Sequence, residues 1–229
     1  LEDDDLTDIA LLRLDGVAAV EVLESGLPGK VDQANLLPDN PAEEPWELLP
    51  SRSVHDLRDD FLATIDALED EFARTRKPRK AGDQRDRAML VHVSKDPPSA
   101  AEDSLDELAE LARSAGIDAI RRVVQRRPID PRYVMGKGRL QTTVIKAMQL
   151  GAEVLVFDLN LTPAQLQALA KYTDLKVLDR TQVILDIFAQ HAQTREGKIQ
   201  VELAQLRYML PRLGAKQSAS AFSRLTGGI

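Results

Sequence analysis

The chain has 229 residues, 30 Lys+Arg against 37 Asp+Glu, a formal net charge of −7 and no cysteine. Its 43% apolar and 29% charged residues are the balance of a globular chain of one or two domains, able to bury a core. These residues hold no apolar run of about 18 and no basic-then-apolar leader, and no disulfide or cysteine-held metal centre is available.

In chain order, residues 1–24 are expected to form a helix, with Leu6, Ile9, Leu12 and Val20 at helical spacing after an acidic start. Residues 25–53 carry Gly26, Pro28, Gly29, Pro38, Pro41, Pro45 and Pro50, a pattern that argues against any long regular element. Trp46 and Leu48 are expected to anchor that stretch on something apolar. Residues 54–75 read as a second helix through Leu57, Phe61, Leu62, Ile65, Leu68 and Phe72, and 76–86 read as a linker. The first block, residues 1–80, is therefore expected to be a mainly helical partial domain.

The second block alternates. Apolar runs at 88–93, 117–124, 154–157 and 175–178 read as strands, with helices at 99–114, 138–150 and from Pro163. Thr162 before Pro163 carries two independent helix-start signals. The order β-α-β-α-β-α-β predicts an α/β fold over residues 87–180, a small parallel four-stranded sheet flanked by helices. His92 falls inside the first of these strands and is expected to be a packed, satisfied histidine. Asp158 and Asp179 end two strands and are expected to cap the helices that follow. A long helix is expected from Thr181 to Leu210, about 45 Å if continuous, with a coiled-coil seam at Ile199, Leu203, Leu206 and Leu210. Pro211 should end it, and Arg212 to Ile229 should be a basic loop.

The net charge hides a split. Residues 1–80 hold 20 acidic against 9 basic side chains, whereas 81–229 hold 21 basic against 17 acidic. Two stretches concentrate the cations. Arg121, Arg122, Arg126, Arg127, Arg132, Lys137 and Arg139 face only Asp130, and Arg195, Lys198, Arg207, Arg212, Lys216 and Arg224 face Glu196 and Glu202. Clustered cations suit a polyanionic partner or a solvated, salt-bridged surface. No nucleophile, acid–base or metal-ligand constellation stands out. His55, His92 and His191 have no ligand spacing, and the sequence holds no GxxxxGK[ST] run. Gly136, Lys137, Gly138 and Arg139 precede a helix and are candidate phosphate-binding residues; a plain structural turn fits them equally.

The ordered motifs carry a resemblance. Gly136-Lys137-Gly138-Arg139, Val156-Phe157-Asp158 with Leu161-Thr162-Pro163-Ala164-Gln165, the run Asp179 to Gln190, the run Glu196 to Leu206, and Pro211-Arg212-Leu213 resemble the N-terminal domain of the HflX family of ribosome-associated GTPases. Residues 1 to about 75 resemble the extra N-terminal region of longer family members. The chain opens on Leu1 rather than Met, and the resemblance implies a piece of a longer protein: a second long helix and a GTP-binding domain would follow. It implies a cytoplasmic protein, monomeric off its partner, that binds the large ribosomal subunit and its rRNA and splits stalled or idle ribosomes. GTP and Mg²⁺ would serve the whole protein, and none is expected in this chain. The hairpin tip over 181–229 would reach RNA through Arg207, Arg212, Lys216, Arg224, Gly227 and Gly228. Arg139 stands where the family often has Lys, which keeps charge but not shape. Two other readings are an ATP-dependent RNA-remodelling activity near Lys137 and Arg139, and a dimerisation module pairing two Ile199–Leu210 seams.

Overall fold

A computed structural model describes residues 1–12, 14–38, 40, 45–58, 60–75 and 85–212. The chain divides into two units, Leu1–Gly82 with Met148–Leu150, and Asp83–Ala147 with Gly151–Ile229.

The first unit is not mainly helical. Helix α1 (Asp3–Leu12) is followed by strands β1 (Gly16–Val22), β2 (Pro28–Leu36) and β3 (Trp46–Ser53), a turn of 3-10 helix at Val54–Asp56, and helix α2 (Phe61–Thr75). The strands form one antiparallel sheet in the order β1-β2-β3. The helix expected over 1–24 thus stops at Leu12. Val17, Val20 and Val22 are β-branched and favour extended backbone, and Gly16 lets β2 approach: a Cβ there would lie 2.9 Å from the Ala34 carbonyl oxygen. The hairpin turns at Gly26, whose φ is +77°, a value that costs glycine nothing.

The prolines punctuate this sheet without preventing it. Pro28 opens β2, and Pro50 lies in the edge strand β3 beside a register shift, both places where a missing N–H is tolerated. Leu6, Ile9 and Ala34 form the unit's small core, with Val17, Leu36 and Trp46 packed against it, so Trp46 is the anchor expected of it, whereas Leu48, expected to share that role, is exposed.

The second unit contains strands β4 (Asp86–Ser94), β5 (Ile117–Arg126), β6 (Val154–Phe157) and β7 (Lys176–Asp179), with helices α3 (Pro98–Ser114), α4 (Lys137–Gln149), α5 (Pro163–Tyr172), α6 (Arg180–His191) and α7 (Arg195–Met209). The sheet is parallel throughout, in the order β5-β4-β6-β7, as the alternation predicts. Leu105, Leu108 and Val183 of α3 and α6 pack on Ala88, Leu90, Val154, Val156 and Leu178. Met89, Val91, Leu155 and Phe157, which alternate with these, are equally buried. A sheet covered on both faces explains why its inner strands read as unbroken apolar runs.

The expected single helix over 181–210 is two helices. Ala192 leaves helical geometry (ψ 111°), and Thr194 caps α7 by accepting a hydrogen bond from the Gly197 N–H at 3.0 Å. Gly197 therefore sits in a first turn, where its flexibility costs little, rather than mid-helix. With 15 residues, α7 is about 22 Å long. Its seam side chains Ile199, Leu203 and Leu206, and Leu210 just beyond, are exposed. Among the described residues no helix is long and apolar enough to cross a membrane.

Candidate functional site

The carboxyl edge of the parallel sheet gathers most of the residues singled out above. The chain leaves β4 toward β5 on one side and β6 toward β7 on the other, so the direction of winding reverses between β4 and β6. In doubly wound sheets that point is where ligands bind.

Here the point is filled by the protein's own side chains. The register sets Val91 opposite Phe157, which brings His92 level with Asp158. His92 Nδ1 lies 2.8 Å from Asp158 Oδ2, and Nε2 lies 2.9 Å from Ser94 Oγ. A carboxylate only accepts, so Nδ1 donates to Asp158, and Nε2 hydrogen-bonds with the Ser94 hydroxyl. Ser104 of α3 donates to the same carboxylate oxygen at 2.5 Å. Arg180 Nη1 donates to the other at 2.9 Å, and its Nη2 pairs with Glu107. The Asp158 side chain is fully buried. It is the hub of a satisfied network rather than a helix cap. Thr162 caps α5 instead, in a reciprocal box with Gln165. The Glu107 hydrogen bond, ahead of that from Asp158, holds Arg180 above its ordinary range. His92 is the satisfied, packed histidine expected of it.

Asp179 does cap its helix. It accepts from the Gln182 N–H at 2.9 Å while Gln182 bonds back to its N–H. The same carboxylate accepts from the Leu161 N–H at 3.2 Å and from the Tyr208 hydroxyl at 2.5 Å. Burial first, then that bond, pushes the Tyr208 phenol above its usual range. Arg212 closes the group. Its guanidinium stacks 3.7 Å from the Tyr208 ring centre and donates to the Tyr208 and Leu161 carbonyls at 2.6 and 2.8 Å. Read from the sequence as an RNA contact, Arg212 is buried and bonded inside the unit. Arg207 is exposed on α7. Lys216, Arg224, Gly227 and Gly228 lie outside the described residues.

The turn from β5 to α4 is tightly tied. Asp130 Oδ1 accepts from the Arg132 and Tyr133 N–H groups, each at 2.8 Å, and these bonds hold its carboxyl below the usual range. Asp130 and Val134 exchange two backbone hydrogen bonds. Val134, fully buried, takes a φ of 69°, a strained value for a β-branched residue. The Gly136 N–H donates to Gln125 at 3.0 Å, and a side chain at 136 would displace the Arg127 guanidinium packed over it. Lys137, Gly138 and Arg139 are exposed in the first turn of α4. The four candidate phosphate residues are thus contiguous at a helix start, beside Arg127.

Arg121, Arg122 and Arg126 are exposed along β5, the outer strand of the sheet, and Lys95 is exposed next to its end. Sequence reading found this cationic stretch but not its continuity with Lys95. The Asp158 hub was missed because its three side-chain partners, His92, Ser104 and Arg180, come from three separate elements; the available signal was a histidine inside an apolar strand one register step from an aspartate.

Comparison with known proteins gives the family. A model described as "GTP-binding GTPase N-terminal" matches residues 102–189, and one described as "GTP-binding GTPase Middle Region" matches residues 191–229. The GTPase HflX of Lacrimispora saccharolytica is 50% identical over 145 residues, 63% of this chain and 34% of that protein. That of Escherichia coli is 42% identical over 134 residues, 58% of this chain and 30% of that protein. The chain thus spans about a third of the length of these relatives. A solved structure of a GTP-binding protein from Sulfolobus solfataricus in complex with GDP is similar at a TM-score of 0.46 and 22% identity, over 61% of this chain and 43% of that one, a likeness too weak to carry an argument. Residues 102–229, with their ordered motifs and continuous match to both regions, place the chain in the HflX family of GTPases as its N-terminal and middle regions.

Proposed function

We propose that this chain is the ribosome-contacting N-terminal part of an HflX-type GTPase. The whole protein would bind the large ribosomal subunit, split stalled or idle ribosomes in the cytoplasm, and hydrolyse GTP with Mg²⁺. The observation that carries the reading is the continuous family match over residues 102–229, at up to 50% identity. The cationic outer strand supports it, because rRNA is a dense phosphate array and each neutralised phosphate adds salt-sensitive affinity.

The described residues do not themselves fit GTP and Mg²⁺. The turn after β4 is Lys95-Asp96-Pro97, without glycine, and α3 starts at Pro98 behind Pro97, which gives it no side-chain cap. A triphosphate at the reversal point would meet the buried Asp158 carboxylate, which repels anions. Among the described residues no group of three or more His, Cys, Asp or Glu is placed to hold a metal ion. GTP chemistry is proposed to reside in the GTP-binding domain of the whole protein.

The test is co-sedimentation with purified large subunits across a salt series. Binding that weakens steeply as salt rises is expected, and no binding at low salt would overturn the reading. A second reading, pairing of two chains through α7, has the exposed Ile199, Leu203, Leu206 and Leu210 in its favour. Sedimentation at several concentrations separates it, since a concentration-independent monomer ends it.

A further inference from the structure

The sequence placed the RNA-contacting cations after residue 206, but Arg212 is spent inside the fold. Arg207 stays exposed on α7, and a second group of exposed cations runs elsewhere. Arg122 and Arg126 lie on one face of β5, four residues or about 13 Å apart. Arg126 Nε approaches the Lys95 carbonyl at 3.5 Å, so the strip bends over the carboxyl edge of the sheet at Lys95. Arg132 and Arg139 are exposed in the turn from β5 to the start of α4, whose Gly136 N–H meets Gln125 on the other face of β5.

Three features make this strip more than a solvated face. It follows an outer strand, so the spacing of its cations is set by rigid backbone rather than by loop chance. Its acidic neighbours are mostly engaged: on α3, Glu107 pairs with Arg180 and Glu110 with Arg113, while Glu102 and Asp103 are exposed. Asp106 pairs with Arg122 at 2.6 Å, but both side chains are about half exposed or more (66% and 45%), and such a pair is easily traded for a phosphate. Asp130 is occupied by two backbone N–H groups. Asp118 stands at the far end of the strand, and Asp96 follows Lys95. Finally, the charges are interleaved with apolar surface. Val124, between Arg122 and Arg126, is 42% exposed, and the Arg132 guanidinium lies 4.9 Å from the Tyr133 ring centre. Arginine-rich charge with apolar and aromatic surface between suits a partner that alternates phosphate with sugar and base. An acidic protein segment offers carboxylates but no stacking surface.

We propose that β5, Lys95 and the turn leading into α4 form an RNA-backbone contact face of this unit, separate from the stretch that follows Arg212. The proposal rests on the ribosome-binding reading for the source of the RNA.

The experiment compares three forms of the 229-residue chain. They are the unaltered chain, a variant with Arg122→Gln, Arg126→Gln and Arg139→Gln, and a charge-matched variant with Arg113→Gln, Lys171→Gln and Arg195→Gln at exposed positions away from the strip. Each is titrated by fluorescence anisotropy against a labelled RNA hairpin over a salt series. Each is also sedimented with purified large subunits, with circular dichroism as the check on folding. The strip variant is expected to bind at least about tenfold more weakly at low salt, and its log Kd–log salt slope should fall by about three. The charge-matched variant should keep the slope of the unaltered chain. Subunit binding that the strip variant retains in full overturns the proposal and leaves the ribosome reading standing. No binding of the unaltered chain to hairpin or subunit overturns both. Polyglutamate that displaces the hairpin as effectively as unlabelled RNA assigns the strip to an acidic protein partner and overturns the RNA assignment.

Discussion

At the residue scale, the second unit relies on two buried carboxylates whose partners are all present. Asp158 accepts from Arg180, His92 and Ser104. Removing it takes the shared acceptor from a guanidinium, an imidazole and a hydroxyl, of which the His92 imidazole is nearly buried. Asp158→Ala should therefore lower the unfolding free energy by about 3 kcal/mol or more, read from the midpoint of urea unfolding. A change below 1 kcal/mol would show that the network contributes little. Asp186 is the contrary case. Burial is the leading cause of its raised pKa, against the opposing effects of Lys176 and of the Gln205 hydrogen bond. The folded state then holds the Asp186 proton more tightly than the unfolded chain does. Stability falls as pH rises from the ordinary 3.8 through the raised value, and the ionised group costs stability at neutral pH. Asp186→Asn keeps an acceptor for Gln205 and loses the charge. It should raise Tm near neutral pH, with the gain shrinking as pH approaches 3.8. A gain that is constant with pH would contradict this account.

At the element scale, glycines separate by what surrounds them. At Gly16 an added Cβ would lie 2.7 Å from Asn35 Oδ1 and 2.9 Å from a β2 carbonyl oxygen. The backbone cannot step aside as a side chain can, so Gly16→Ala should cost about 1–3 kcal/mol. Gly138, in the first turn of α4, has nothing within 4 Å of its Cβ position. Gly138→Ala should stabilise by up to about 1 kcal/mol, by restricting the unfolded chain and favouring helix. Thermal unfolding of the two variants compares them directly. Equal effects would mean that glycine content, rather than local space, decides. The same reasoning accounts for the element that composition misjudged most. The period of residues 1–24 suits a helix, yet β-branched residues after Gly16 and a ready partner in β2 turn the second half into a strand.

At the scale of the whole chain, charge is divided between the units: the first 80 residues carry eleven more acidic than basic side chains, and the rest carry four more basic than acidic. For the proposed RNA contact, the field of these acidic residues would oppose binding, and salt screens that field over about 10 Å at 0.1 M. Deleting residues 1–80 should tighten binding to an RNA hairpin at low salt, and the two forms should converge as salt rises. Anisotropy titrations at low and high salt give the comparison. A difference that persists at high salt would point to a specific role of the first unit rather than to its charge.

Much of the second unit was legible in the residues. Parallel α/β structure follows from unbroken apolar runs alternating with amphipathic stretches, because a sheet covered on both faces needs no polar side. Helix starts at Thr162 and Asp179 were equally plain, because a cap is a local bond between neighbours in sequence. The ordered motifs identified the family for the same reason: they are contiguous runs. What local order could not decide was pairing at a distance. Only the fold brought His92, Ser104, Asp158 and Arg180 to one point, turned Arg212 inward onto Tyr208, divided one helical pattern at Thr194, and set three arginines along an outer strand. Each depends on which strand lies beside which, a property of the sheet order β5-β4-β6-β7 that no stretch of sequence carries alone.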